Sequence, residues 1–424
     1  MHYFNKSELR ILEDVLSLPT TSFHEQFIQE YVLHFIKKLG LDIKTDVFGN
    51  ILVHYEKGNT EKPIVFTAHM DHPGFSIIER IAGFDYVGQF YGGTNKDFFP
   101  GAKLLIYSDS KYIEAQAVSP LFEYREDLNK YDPQSQENSE KSEAEQRKNI
   151  SEVDSKDARE KLLLPQFRIE TRDEVNVNDM GFFDVTFFNI KGDLLYTKDA
   201  DDLVNVAALL ILLQRTVKLN SDSNFYVLFT RAEETGFTGC QGAIESKILP
   251  ENSIPIVLET SAELEQAKIG QGFILRVGDR FSTYNTLVDS WMHEVAADIS
   301  KELMENPDKK KTAASAKAKN EFKFQRTLMD GGTCEASLFN VSGFDTGALA
   351  IALGNYHNIG KSHPAPEYIS LFDLCCLVEF MQKLVITPFS TKRSKYLVQR
   401  IADRFTKLAK FLEDNPYSSM STDI

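Results

Sequence analysis

The sequence predicts an α/β protein, a three-layer α/β/α domain into which a small β-barrel-like domain is inserted. Three observations predict it. Toward both ends of the chain short apolar strands alternate with helices of 3.6-residue periodicity, the pattern of a mainly parallel sheet covered by helices. Between about Phe75 and Gly192 that alternation gives way to short β-prone runs punctuated by Gly, Asp and Asn. The 424 residues also exceed what one ordinary core absorbs. The expected boundaries are 1–74 and 193–424 for a discontinuous first domain, and 75–192 for the insert.

Leu9, Ile11, Leu12, Val15 and Leu16 recur at helical spacing and Pro19 ends the run. Ser22-x-x-Glu25 reads as a capping box that opens a second helix through Phe27, Ile28, Tyr31, Val32 and Phe35, with Gly40 as its stop. Strands are expected over Ile43–Val47 and Ile51–Tyr55, turned by Gly49-Asn50, and over Ile64–Thr67. The insert should hold strands at Ser76–Ile81, Tyr86–Phe90, Lys103–Tyr107, Tyr112–Ala117, Phe167–Ile169 and Val185–Phe188. Within it, 125–161 is rich in Glu, Lys, Ser, Gln and Asn and poor in apolar residues, a solvated excursion and not a core element.

After Asp201 the β/α rhythm returns. Helices are expected at Leu203–Val217, Leu287–Met304 and Leu371–Leu384, and strands at Phe225–Thr230, Ile254–Leu258 and Ala348–Leu353. A basic, Ala-rich loop occupies 309–319, and Tyr396–Leu412 is an extra amphipathic helix expected to pack on the core or a partner subunit.

The formal charge of -15 argues against nucleic-acid and anionic-membrane partners. No apolar run approaches the length of a bilayer span. The four cysteines, with no ribbon spacing and no signal-like N-terminus, point to a reducing cytoplasmic setting.

The chemistry is carried by where His, Asp and Glu fall. His69, Glu233, Glu234, Glu259 and His357 each follow a short apolar strand, and Asp201 precedes an apolar helix. In a parallel α/β sheet the carboxyl ends of the strands share one crevice, so these residues would meet there. So many carboxylates in one poorly solvated site repel one another and raise each other's pKa. Two divalent cations would neutralise them. Imidazole plus carboxylate suits zinc, with cobalt as the alternative. In the adjacent Glu233-Glu234 pair, one carboxylate can bind metal while its neighbour stays free as a general base. Taken singly each motif is weak: Asp201-Asp202 is an ordinary helix start, and a lone His357 an ordinary loop histidine.

His69-Met70-Asp71 with Pro73-Gly74-Phe75, Asp201-Asp202, Thr230-x-x-Glu233-Glu234-x-Gly236-x-x-Gly239 and Gly331-Gly332-Thr333 together resemble the glutamyl/deblocking aminopeptidase family, which includes the tetrahedral aminopeptidases. Gly49-Asn50 and Gly270-Gln271-Gly272 resemble it too, and the β-rich insert between His-x-Asp and Asp201 separates it from related hydrolases. The resemblance spans nearly the whole chain apart from the acidic insert, the basic loop and the C-terminal helix.

It implies a phosphorylase/hydrolase-like catalytic domain and an aminopeptidase of dinuclear zinc type. One zinc would be held by His69 and Glu259 and the other by Glu234 and His357, with Asp201 bridging. Glu233 would take a proton from the metal-bridging water and deliver it to the leaving amine, and Asp71 would orient the His69 ring. Peptide substrates and a homo-oligomer, dimer or larger, are implied as well, with the insert serving dimerisation or substrate access. The chain departs from the family at Leu203, where Arg is usual, at Glu259, where Asp is usual, and at His72-Pro73. Two alternatives stay open: hydrolysis of another amide on the same fold, and a catalytically weakened metal-binding homologue. His363, Cys334 and His24 are read as structural or substrate-lining.

Overall fold

The computed structural model describes residues 3–120, 164–305 and 321–414. The acidic stretch 125–161 and the basic loop 309–319 therefore lie outside the described residues.

Helix α1 (Lys6–Ser17) opens on a capping box at Asn5, whose side chain accepts from Ser7 and Glu8 N–H while Glu8 accepts from Asn5 N–H. The box expected at Ser22 does not form. Helix α2 (Gln26–Leu39) starts without a side-chain cap, because Ser22 and Glu25 are used elsewhere. Ser22 Oγ donates to Asp71, and Glu25 binds Arg231 and accepts from Ala232 N–H. Both side chains thus brace loops of the candidate site.

The main sheet has eleven strands. Its centre is parallel, in the order β12 (Asn224–Thr230), β3 (Ile64–His69), β13 (Ile254–Ala262) and β16 (Gly347–Gly354). Antiparallel β2 (Ile51–Glu56) and β1 (Asp42–Thr45) extend one side. The other side carries β17 (Glu367–Ser370), β11 (Leu194–Thr197) and β10 (Phe188–Lys191), and β14 (Phe273–Asp279) with β15 (Phe324–Met329) branches from β16. All six residues of β3 are buried, as a central parallel strand covered on both faces requires.

Side-chain alternation distributes the layers. Ile51, Val53, Phe66, Val227 and Ile256 face a core shared with α1, α2, α3 (Ala200–Leu219), α5 (Thr286–Glu305) and α7 (Leu371–Leu384). Leu52, Val65, Leu228 and Val257 face α4 (Thr238–Glu245) and α6 (Glu335–Val341) on the opposite side. The result is the three-layer α/β/α arrangement. Helix α3 is apolar nearly all round and buried from Ala200 to Leu213, because it is enclosed between the sheet and α1, α2 and α7. Leu203 is fully buried in that core, where an arginine would have to be paired.

Strands β4 (Gly74–Ala82), β5 (Asp85–Tyr91), β6 (Lys103–Ser108), β7 (Lys111–Pro120), β8 (Gln166–Thr171) and β9 (Met180–Phe183) close into a separate barrel. Its core is aromatic, with Phe75, Phe90, Phe99, Phe167 and Phe183 in contact. A Cβ on Gly181 would lie 2.2 Å from the Phe75 ring, so this packing needs glycine there. The run read as a barrel strand over Val185–Phe188 ends instead in β10, which pairs with β11 in the main sheet.

Candidate metal centre

The parallel strands β12, β3, β13 and β16 lie side by side and point the same way, so their carboxyl ends deliver residues to one place. His69 is the last residue of β3, Glu259 lies near the end of β13, and Glu233-Glu234 form a 3-10 turn just after β12. His357 sits in a turn beyond β16, and Asp201 in the first turn of α3. The structure brings all six together. His69 Nε2 is 3.4 Å from Asp201 Oδ1, 3.8 Å from Glu259 Oε1 and 3.9 Å from Glu233 Oε2. His357 Nε2 is 3.4 Å from Asp201 Oδ2 and 3.2 Å from Glu234 Oε1. Each oxygen of Asp201 thus faces a different histidine.

Hydrogen bonds fix how these groups are presented. His69 Nδ1 donates to the Asp71 carbonyl at 3.0 Å, which turns Nε2 toward the carboxylates as the nitrogen a cation would take. The Asp71 carboxylate is 3.5 Å from the same Nδ1, yet its stronger contacts are to the Glu-Glu turn. It accepts from Glu233 N–H at 2.9 Å, Glu234 N–H at 3.2 Å and Ser22 Oγ at 2.7 Å. Asp71 therefore holds the turn as well as the ring. His357 Nδ1 donates to the Gly93 carbonyl at 2.7 Å, so a loop of the barrel orients this second histidine.

Sequence reasoning missed Glu367. Its buried carboxylate accepts from His357 N–H at 2.7 Å and from Asp201 N–H at 3.0 Å, tying together the backbones of two candidate ligands. Nothing in the local run Pro366-Glu367-Tyr368 marks it, because its partners lie on two other elements. His72, which departs from the family pattern, donates from Nδ1 to the Asp201 carbonyl. Burial, and then the charge of His357, push its imidazole down to about 3, so it is a neutral donor.

The electrostatics are those of an under-neutralised acidic cluster. Burial first, then Asp201, pushes Glu259 up to about 7. Burial also lifts Glu233 well above the usual carboxylate range, and the neighbouring Glu259, Glu234 and Glu335 add to it against the opposing pull of His69. Asp201 goes well down, since its contacts with both histidines outweigh its burial, and Asp71 is lowered too, by His69 and Ser22 against its burial. His69 and His357 rise well above the ordinary imidazole value despite burial, because of the carboxylates around them.

These residues fit a pair of cations. His69 Nε2, Asp201 Oδ1, Glu234 Oε1 and His357 Nε2 are buried without any hydrogen-bond partner, and all are lone-pair donors converging on the same space. Three groupings each place their donor atoms within 4.8 Å of one another: His69–Asp201–Asp202–Glu259 and Asp201–Glu234–His357, which share Asp201, and His69–Glu233–Glu234.

The cluster opens into a cavity of about 360 Å³. Beyond the carboxylates it is lined by Phe237, Leu264, Met329, Gly332, Tyr356 and Arg276. Arg276 is 3% exposed; its Nη1 donates to Ser261 Oγ at 3.3 Å, its Nε has no partner, and Asp279 Oδ2 stands 4.0 Å from Nη2 with both Asp279 oxygens already taken by Tyr284, Ser337 and backbone N–H groups. The sequence hid this arginine inside an apolar strand. Cys334 is buried and its thiol is pushed up to about 12 by burial, so it is no nucleophile. His363 is exposed and contacts Ser362, and His24 contacts Ser76 beside the barrel.

Residues 166–317 match the model of the M42 glutamyl aminopeptidase family. No curated protein sequence matches the chain. Among solved structures, a TET aminopeptidase from a marine-sediment Thaumarchaeota archaeon is 16% identical with a TM-score of 0.66, covering 90% of this chain and 97% of that one. The Pyrococcus horikoshii TET1 peptidase, described as assembling into a tetrahedron or a large octahedral shell, is 20% identical with a TM-score of 0.64, covering 89% and 99%. An aminopeptidase from the archaeon Desulfurococcus kamchatkensis is 16% identical with a TM-score of 0.65, covering 89% and 94%. No helix among the described residues is long and apolar enough to cross a membrane. The matched segment is similar to the M42 glutamyl aminopeptidases, and the fold of the described residues is that of the solved TET-type aminopeptidases.

Proposed function

We propose that the protein is a dinuclear-metal aminopeptidase that removes the N-terminal residue of peptides. The observation that carries this reading is the set of orphaned, buried ligand atoms facing one another across Asp201. His69 and Glu259 would hold one cation, Glu234 and His357 the other, and Asp201 both. Two divalent ions, zinc by this donor set with cobalt as the substitute, would supply Lewis-acid charge and lower the pKa of water in the site towards about 7.

The chain's own residues do the rest. Glu233 takes the proton from the attacking water and hands it to the leaving amine, with its backbone held by Asp71. Burial favours the protonated form that the second transfer needs. Glu367 and the Gly93 carbonyl keep His357 in place. That contact supports a role of the barrel in substrate access, alongside dimerisation as part of a cytoplasmic homo-oligomer.

Arg276 makes the reading more specific. A buried guanidinium that lines the cavity, with its Nε unpartnered and no carboxylate in tight contact, favours an acidic N-terminal side chain. Among aminoacyl anilides assayed with zinc, the glutamyl compound is expected to be turned over best. Arg276→Ala should lower the ratio of glutamyl to leucyl kcat/KM by about 10- to 100-fold. A ratio that does not move, or a wild-type preference for lysyl anilide, would contradict this assignment.

A further inference from the structure

Helix α8 (Lys392–Asp414) has no place in the chemistry above, and the family resemblance does not cover it. Among the described residues it lies against α5, and its exposed apolar residues are not part of the core, one of the two placements its sequence suggests, the other being a partner subunit. Val398, Ile401, Phe405 and Leu408 fall at 3-4-3 spacing and so form one stripe along the helix. They are 67%, 59%, 61% and 43% exposed. The polar side carries Arg400, Arg404, Lys407 and Lys410 with the acid Asp403 among them and Glu413 and Asp414 in the last turn, all exposed. This is a local reversal of sign in a chain of net charge -15.

We propose that α8 is a peripheral membrane anchor whose apolar stripe and basic side bind a surface rich in anionic lipid. An amphipathic helix of low overall hydrophobicity, with Lys and Arg on one side and Phe, Leu and Ile on the other, lies in the interfacial plane of a bilayer and does not cross it. Charge complementarity selects this occupant. Pairing the stripe with its counterpart in a second copy would bring two basic flanks together. A nucleic acid would use the basic side and leave the stripe in water. The acidic stretch 125–161 of this chain offers charge but few apolar residues to fill it. The net charge of -15, which argues against an anionic surface for the chain as a whole, is outweighed locally, because the attraction to lipid headgroups acts within about a Debye length.

The test is flotation of the full chain with vesicles of phosphatidylcholine alone and with about 30% phosphatidylserine. Binding to the anionic vesicles is expected to be at least about tenfold tighter and to weaken steeply with salt. Ile401→Asp with Phe405→Asp, and separately Arg400→Glu with Arg404→Glu, should each abolish it while circular dichroism stays unchanged. No flotation of the wild type, equal binding to both vesicles, or wild-type binding by the Ile401→Asp, Phe405→Asp variant would overturn the proposal. So would light scattering in which that variant breaks up an oligomer while the wild type ignores lipid, which would make a second copy the occupant.

Discussion

Glu233→Gln is expected to lower kcat by about 10²- to 10⁴-fold while the metal content stays that of the wild type. The amide is nearly the same size and keeps the backbone N–H that Asp71 accepts, so the turn should survive. What it loses is the ability to accept a proton. KM should change little, because the role assigned to Glu233 is proton transfer and not holding the substrate side chain. Kinetics paired with elemental analysis of the same sample checks both halves. Near-wild-type turnover would remove Glu233 from the base role, and loss of metal would make it a ligand.

Asp201→Ala is expected to abolish activity by emptying both metal positions together. Asp201 is the one side chain whose two oxygens face the two histidines, at 3.4 Å each, and it is shared by the donor groupings that contain Glu259 and His357. Removing it leaves each of these groupings short of a ligand and Glu259, Glu234 and Glu233 with no charge between them. By contrast, Glu259→Ala or His357→Ala takes a ligand from one grouping only. Metal titration of the three variants should therefore rank Asp201→Ala lowest in ions retained. An Asp201→Ala protein that binds as much metal as His357→Ala would refute the bridging assignment.

Much of the fold was legible because its signals are local. The apolar runs of β3, β12, β13 and β16 and the periodicity of α3 and α7 announce themselves without tertiary information. That His69, Asp201, Glu234, Glu259 and His357 would meet was legible because a parallel sheet sends every strand end to the same edge, so their order alone implied convergence. Ser22 and Glu25 mislead for the opposite reason. Their spacing suits a cap, but tertiary partners, Asp71 and Arg231, compete for the same oxygens and win. Glu367 and the Gly93 carbonyl act through backbone contacts to distant elements, which no spacing rule encodes. Arg276 was hidden because a single charge in an apolar strand reads as an exposed position, whereas here both faces of β14 are covered. The exposed face of α8 was out of reach as well, since an amphipathic pattern says that an apolar side exists and not what meets it.

His69, Asp201, Glu234, Glu259 and His357 are assigned to hold a pair of metal ions. Elemental analysis of the purified chain, before and after chelation, tests this most directly. About two divalent ions per chain are expected. Chelation should remove them together with peptide turnover, and zinc or cobalt should restore both. A chain that holds one ion or none, or that cleaves peptides undiminished after chelation, would contradict the account.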